Sequence, residues 1–380
     1  MFVPSRTDEP VRVAGTMTAP DGQYVAPHGV IGERQHEDVG RELGIAGRPP
    51  GVTCRGVLTD DGSTTRRRLM DHAPLDPEVA MIFASLGPRV PLSEVSAEKM
   101  RADMRAAVDS FTRDAEPISV AHVTDDIVPG RHGDIRVRVY RPDVPTAVVV
   151  FMHGGSWIAG DIETSDLVTR RISRDTGAVV VSVDYRMLPE HPFPAPLDDT
   201  YDAVVWARAM HPDVPLIVAG DSAGGTLSAC VALRSRDERG PRIDGQVLIY
   251  PAIDDDIDTP SMVGLDARLG DRRDLAHVLR QYASTGAAVG SPYAVPGRAA
   301  SLAHLPPAIM VIPGHDGLRS AEEEYVSRLR EAGVPVVVQL DLELAHSWID
   351  YAPRVAAADR AFTRLTDHIN KLIGDVGASR

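Results

Sequence analysis

The distribution of apolar and polar positions divides the chain near residue 73. Before that point Gly, Pro and charged residues are interspersed, and no period of 2 or 3.6 residues is sustained. Such a segment buries too little apolar surface to offset the entropy lost when its backbone is ordered. We therefore predict that residues 1–73 form a loose or poorly ordered extension, and that regular structure starts just after it.

Two helical patterns come first, and strands and helices alternate after them. Residues 75–87 and 95–111 have helical periodicity, with Ser93 or Ser96 as the N-cap of the second helix. Residues 133–142 alternate like a half-buried strand. Short apolar runs predict buried strands at 146–153, 177–186, 215–220, 245–251, 307–313 and 334–340. Helices are predicted between and after them, at 196–210, 222–236, 271–284, 320–333 and 353–373. This alternation predicts an α/β fold with a mostly parallel sheet covered by helices on both faces.

The stretch GDSAGG (220–225) joins a predicted buried strand to a predicted helix. This is the context of a G-x-S-x-G nucleophile elbow, in which a sharp turn exposes a serine hydroxyl above the sheet. Gly220 and Gly224 would let strand and helix approach closely around Ser222. A plainer interpretation is that Ser222 only caps the helix. A base and an orienting acid elsewhere in the chain would favour the catalytic interpretation.

An acid and a histidine follow in the order that this kind of fold requires, which is serine, acid, histidine. Asp316 comes just after the strand at 307–313, and His346 lies in the loop after the next strand. The competing candidates fail on order or placement: His315, His304, Asp341 and Glu343. We predict Ser222 as nucleophile, His346 as base and Asp316 as the acid that orients it.

The motif HGGSW (153–157) directly follows the buried strand at 146–153. Its consecutive glycines allow the backbone N–H groups of Gly154 and Gly155 to point at one place, and the N–H of Ala223 would join them. Such donors stabilise the oxyanion of a tetrahedral intermediate. If the motif stood alone, the favoured interpretation would be that its glycines only form a turn after the strand.

Taken together, these motifs resemble those of the bacterial hormone-sensitive-lipase-like esterases. The resemblance covers residues 75–373 and includes HGGSW, DYRMLPEHPFPAPLDD (184–199), GDSAGG, the segment that begins HDGLRSAEEEY, and AHSW. It implies an α/β-hydrolase fold with an N-terminal helical cap at 74–125 and a catalytic domain at 126–380. It also implies the triad and oxyanion donors named above, and a cap that shapes the acyl pocket.

Three departures from the family pattern concern the candidate site. Ser156 replaces a third glycine, and Ser320-Ala321 replaces an acidic pair beside Asp316, which removes a support of that loop. Trp348 replaces a phenylalanine after the histidine. We expect Trp157 and Trp348 to line the substrate pocket, and Trp348 to narrow it.

Composition and charge exclude other classes of function. Acidic residues outnumber basic ones by 54 to 40, giving a net charge of −14, which argues against nucleic-acid binding. Cys54 and Cys230 are too few for a disulfide framework and are expected to be free thiols.

The first residues lack the pattern of a secretion signal, and no apolar stretch is long enough for a membrane span, so we expect a cytoplasmic protein. The acidic run at 254–258 has no metal-ligand spacing, and we expect no metal and no cofactor.

The sequence therefore predicts a serine carboxylesterase acting on small-molecule, short-chain acyl esters. Activity should rise with pH as His346 loses its proton, near pH 6.5 if its pKa is unperturbed. The same triad could cleave amides or lactones, and the sequence leaves these open. A receptor on this fold, as in plant gibberellin receptors, is less favoured because the chain keeps His346. Relatives often dimerise through a sheet edge, and a homodimer is left open.

Overall fold

The computed structural model describes residues 73–283 and 286–378, and the predicted extension lies outside them except for residue 73. Strands of the described residues are β1 (His122–Gly130), β2 (Gly133–Arg141), β3 (Val148–Met152), β4 (Val179–Val183), β5 (Leu216–Asp221), β6 (Gly245–Ile249), β7 (Ala308–His315) and β8 (Val336–Ala345). Helices are α1 (Pro77–Ser85), α2 (Ala97–Thr112), α3 (Asp166–Thr176), α4 (Ala195–Met210), α5 (Ala223–Glu238), α6 (Pro260–Val263), α7 (Arg272–Ala283), α8 (Arg319–Glu331) and α9 (Ala356–Ala378).

The eight strands form one sheet in the order β1-β2-β4-β3-β5-β6-β7-β8. The hairpin β1–β2 and the β2–β4 pair are antiparallel, and all pairs from β4 to β8 are parallel. Strands β3 to β6 are buried at every position. This follows from the helices on both faces, because α4, α5 and α8 pack on one side and α3 and α9 on the other. The predicted α/β architecture is confirmed.

Strand β1 has no counterpart among the predicted elements. It begins at His122, before the expected end of the cap at residue 125, and pairs along its whole length with β2. Val128 is its only buried residue, so its pattern carries almost no apolar periodicity. Asp125 of β1 lies opposite Arg138 of β2, and their side chains form an ion pair 2.6 Å long.

Helices α1 and α2 lie within the segment predicted as the cap, and both begin at side-chain caps. The Asp76 carboxylate accepts the N–H groups of Glu78 and Val79 at 2.8 and 3.3 Å. The hydroxyl of Ser96 accepts the N–H of Lys99 at 3.2 Å, so Ser96 is the N-cap of α2. Within the described ranges, no helix is both long and apolar enough to cross a lipid bilayer.

Candidate active site

Ser222 occupies a one-residue turn between β5 and α5. Its backbone has φ 51° and ψ −118°, a conformation that L-residues rarely adopt. Its N–H donates to the carbonyl of Ile249 on β6 at 2.8 Å. A Cβ on Gly220 would lie 2.5 Å from the carbonyl oxygen of Met152, and one on Gly224 would overlap the same oxygen. The two glycines therefore allow β3 and α5 to meet around the serine.

The three residues predicted as a triad lie together. His346 Nε2 is 2.9 Å from Ser222 Oγ, and His346 Nδ1 is 2.6 Å from Asp316 Oδ2. Asp316 directly follows β7 and His346 directly follows β8, so the parallel sheet places them at the same edge as Ser222. The Asp316 side chain is 3% exposed and that of His346 is 29% exposed. The acid is thus shielded from water while the imidazole is open to the cavity.

Neighbouring carboxylates set the protonation of the histidine. Burial acts to lower the pKa of His346, but the charge of Asp316 and its hydrogen bond outweigh burial and raise the pKa above 6.5. Asp221 and Asp350 act in the same direction. Burial in turn raises the pKa of both of these carboxyls. The imidazole therefore keeps its proton to a higher pH than a free histidine.

The loop that carries Asp316 is held by a serine pair in place of the missing acidic residues. The N–H of Ser261 donates to the hydroxyl of Ser320 at 3.1 Å, and the N–H of Ser320 donates to the hydroxyl of Ser261 at 3.0 Å. Ser261 also donates to the carbonyl of Gly317 at 2.6 Å. The other carboxylate oxygen of Asp316 accepts the N–H of Leu318 at 2.9 Å. Sequence reasoning missed Ser261 because 59 residues separate it from its partner.

The segment 153–161, here called the HGG loop, requires one correction. The N–H of Gly154 donates to Asp221 Oδ1 at 2.9 Å, so it is already engaged and does not serve as the predicted oxyanion donor. Among the hydrogen bonds of the described residues, none uses the N–H groups of Gly155, Ser156 or Ala223. Ser156, predicted only as a departure from the family pattern, therefore replaces Gly154 among the candidate donors.

A cavity of about 200 Å³ opens beside the triad. Ser222, Asp316 and His346 line it together with Trp157, which stacks on Tyr282 with ring centroids 4.1 Å apart. Its other walls are mainly apolar and come from the cap segment, the α6 region, α7 and the start of α8: Leu92, Met262, Leu265, Leu275, Val278 and Leu318. The cavity is also lined by Asp271 and by an ion pair between Arg89 and Asp274, 2.7 Å long.

Trp348 does not line this cavity, contrary to the predicted pocket role. It is fully buried in the core between the sheet and α9, where its ring packs edge-on against Phe362 and Tyr250. Ser347 has φ 61°, and this turn after His346 directs the next side chain away from the cavity. The predicted narrowing of the pocket by Trp348 is therefore wrong.

The remaining candidates have other partners or lie apart. Asp341 pairs with Arg364 at 2.7 Å, and His304 is exposed. Cys230 is buried, and Cys54 lies outside the described residues. In the acidic run at 254–258, Asp255 pairs with Arg298. The described residues contain no cluster of three or more potential metal ligands.

Comparison with known proteins agrees with this fold. Residues 149–350 match the profile of an α/β-hydrolase fold family. Esterase LipI of Mycobacterium tuberculosis is 40% identical over 254 residues, which cover 64% of this chain and 79% of LipI. Carboxylic ester hydrolase LipN of the same organism is 37% identical over 309 residues, which cover 76% of this chain and 80% of LipN. A solved esterase of Pyrobaculum calidifontis is 33% identical with a TM-score of 0.73, and covers 78% of this chain and 99% of its own. The chain belongs to the α/β-hydrolase fold family and, within it, to the hormone-sensitive-lipase-like bacterial esterases, a group of carboxylic ester hydrolases.

Proposed function

We propose that the chain hydrolyses carboxylic esters through an acyl-serine intermediate. His346 Nε2 takes the proton of Ser222 as the serine oxygen attacks the ester carbonyl carbon. Asp316 accepts a hydrogen bond from His346 Nδ1–H, which fixes the tautomer and stabilises the imidazolium without transfer of that proton. The tetrahedral intermediate expels the alcohol, which leaves with the proton from His346. Water, deprotonated by the same imidazole, then attacks the acyl carbon, and the acid is released as Ser222 regains its proton.

The N–H groups of Gly155, Ser156 and Ala223 are the proposed donors to the oxyanion. The first two lie in the HGG loop, and Ala223 is the first residue of α5, directly after Ser222. Ala223 N–H also opens a helix of 16 residues, whose N-terminus favours negative charge. Donors that are already in place cost no reorganisation when charge develops in the transition state.

One observation carries the proposal. The serine lies on a strained turn, and two consecutive hydrogen bonds of 2.9 and 2.6 Å link it to a histidine and then to a buried carboxylate. A serine that only capped α5 would accept an N–H from the first turn, but the Ser222 side chain makes no such bond. The relay is the arrangement that activates a serine hydroxyl as a nucleophile.

The size and lining of the cavity favour a substrate with a small, neutral acyl group. Its volume of about 200 Å³ is below the ~300–1,000 Å³ of sites that take drug-sized ligands. Its walls are mainly apolar, the charges of Arg89 and Asp274 neutralise each other, and the remaining carboxylate outside the triad, Asp271, is exposed to solvent. A relative from Pseudomonas putida, 29% identical over 249 residues, is named ethyl acetate hydrolase. We therefore propose acetate and butyrate esters as better substrates than long-chain esters.

Hydrolysis of p-nitrophenyl esters from acetate to dodecanoate tests the proposal, with Ser222→Ala measured beside the unchanged protein. We expect turnover that decreases beyond butyrate and a loss of about 10⁴-fold or more in the variant. Circular dichroism shows whether both proteins are folded. Equal, negligible rates for two folded proteins would reject the esterase assignment, and a panel of anilides and lactones would then be tested. Greater kcat/KM for dodecanoate than for butyrate would reject the short-chain preference.

A further inference from the structure

One face of helix α2 lies against the HGG loop. Arg101, Met104 and Arg105 are spaced by three and four residues, so they project from the same side of the helix. Arg101 Nε donates to the carbonyl of Ile158 at 2.9 Å. Arg105 donates to Asp161 Oδ2 from Nε at 2.8 Å and from Nη2 at 2.5 Å. The sulfur of Met104 lies 3.2 Å from the position that a Cβ on Gly155 would occupy. The helix thus contacts the loop at its start, middle and end.

Arg101 also joins the loop to a second segment. Its Nη2 donates to the carbonyl of Leu188 at 2.8 Å, and the N–H of Leu188 donates to the carbonyl of Trp157 at 2.8 Å. Glu190 binds the same guanidinium through both carboxylate oxygens, at 2.6 and 3.0 Å. The planar guanidinium therefore bridges two backbone carbonyls, that of Ile158 within the loop and that of Leu188, a residue whose N–H is bonded to the loop. A lysine ammonium does not reproduce this fork geometry.

The loop needs such support because its backbone is strained. Ser156 and Trp157 have φ 59° and 58°, and Gly155 has φ 109°. Non-glycine residues with positive φ are strained and persist only where surrounding contacts enforce them. Within the loop, the N–H groups of Ile158 and Ala159 both donate to the carbonyl of Gly155. The contacts from α2 lie beside this strained turn.

We infer that Arg101 is a positioning residue of the reaction, which holds the N–H groups of Gly155 and Ser156 in place for the oxyanion. The contacts that pack α2 against the domain would then also position the oxyanion donors. This inference rests on the proposed esterase function. Arg101 touches neither the cavity nor the triad, so it acts only through the backbone that it holds.

The chain offers a matched control at the other end of α2. Arg354, in the segment before α9, donates to the carbonyl of Ser110 at 2.8 Å. It is also an arginine that fastens α2 to the domain through a backbone carbonyl, but its hydrogen bond and its ion pair go to Ser110 and Asp114 and not to the HGG loop. Replacing each arginine by methionine removes its hydrogen bonds and keeps much of its apolar stem. Glu190→Gln weakens the ion pair while leaving the donation of Arg101 to Ile158 and Leu188.

Steady-state hydrolysis of p-nitrophenyl acetate is the first measurement. Complete loss of one oxyanion donor costs about 10²–10³-fold in kcat. Arg101→Met removes no donor and only loosens the position of two, so we expect a smaller decrease in kcat, by about 10–100-fold. We expect KM to change by less than about threefold. Arg354→Met and Glu190→Gln should each retain kcat within about twofold. A kcat for Arg101→Met within twofold of the unchanged protein, or equal to that of Arg354→Met, would overturn the inference.

Hydrogen exchange by mass spectrometry supplies a readout that does not depend on catalysis. Peptides covering residues 154–161 should exchange about tenfold faster in Arg101→Met and at the original rate in Arg354→Met. Unchanged exchange in Arg101→Met would overturn the inference even if kcat fell. If the unchanged protein hydrolysed no ester, the proposed function would be rejected, and the exchange result alone would still decide whether Arg101 holds the loop.

Discussion

At the scale of single residues, the turn that carries Ser222 depends on the absence of side chains around it. Gly220 and Gly224 lie where β3, β5 and α5 converge, and a Cβ at either position would meet backbone atoms. Backbone atoms of a central strand and a buried helix move little, in contrast to the end of a flexible side chain. The G-x-S-x-G pattern therefore reflects packing around Ser222 as much as the proposed reaction.

The substitution Gly224→Ala tests this packing. Its Cβ would overlap the carbonyl of Met152, so we expect a loss of about 1–3 kcal/mol or more in the free energy of unfolding. Gly374→Ala in α9 is the control, because no atom lies within 4 Å of its added Cβ. It should stabilise the protein by up to ~1 kcal/mol through helix propensity. Urea unfolding measures both, and a Gly224→Ala protein as stable as the parent would contradict the packing argument.

The protonation of His346 gives a second prediction at this scale. Only the neutral imidazole acts as a base, and the charge of Asp316 raises its pKa above 6.5 against the opposing effect of burial. Activity is therefore lost on the acid side at a higher pH than a free histidine would give. The kcat/KM for p-nitrophenyl acetate, measured from pH 5 to 9, should have its acid-side midpoint above 6.5. A midpoint below 6.5 would mean that burial outweighs the carboxylates.

At the scale of elements, strands buried on both faces were predictable from the apolar pattern, and the edge strand β1 was not. Strands β3 to β6 are short runs of apolar residues, and each matches a predicted segment. Strand β1 exposes most of its side chains and is held by backbone pairing with β2. Backbone hydrogen bonds are available to any sequence, so they leave little trace in the apolar pattern.

Helix α2 carries the prediction at this scale, because it supports the HGG loop and begins at Ser96. Ser96→Ala removes the acceptor for the Lys99 N–H and should lower the free energy of unfolding by about 1 kcal/mol. Ser96→Asn restores a capping oxygen and should regain most of that loss. Equilibrium urea unfolding compares the two variants. Equal stabilities for alanine and asparagine would show that the cap contributes nothing.

At the scale of the whole molecule, the sheet separates two tryptophans that the sequence placed in one pocket. Trp157 lies on the face of α4, α5 and α8, where it lines the cavity, and Trp348 lies on the face of α3 and α9. The first lines the cavity that we propose holds the acyl group. The second belongs to a core cluster that determines stability.

Replacement of the two tryptophans separates these roles. Trp348→Ala should cost about 3–5 kcal/mol of stability, while the ratio of kcat/KM for butyrate to that for octanoate stays within about twofold. Trp157→Ala should shift that ratio toward octanoate, because the cavity gains volume. The comparison needs the free energy of unfolding in urea and kcat/KM for the butyrate and octanoate esters, measured for each variant. A changed chain-length preference in Trp348→Ala would contradict the placement of its ring.

The sequence by itself determined the α/β fold and the order of Ser222, Asp316 and His346. Both follow from local pattern, because apolar runs mark the strands and each of these residues directly follows one. Tertiary structure decided how the site is completed. Asp221 engages the N–H of Gly154 across 67 residues, and Ser261 supports the acid loop across 59. The turn at Ser347 determines that Trp348 enters the core. These outcomes depend on which distant groups meet within hydrogen-bonding distance and on which face of the sheet a turn selects, and only the folded chain establishes them.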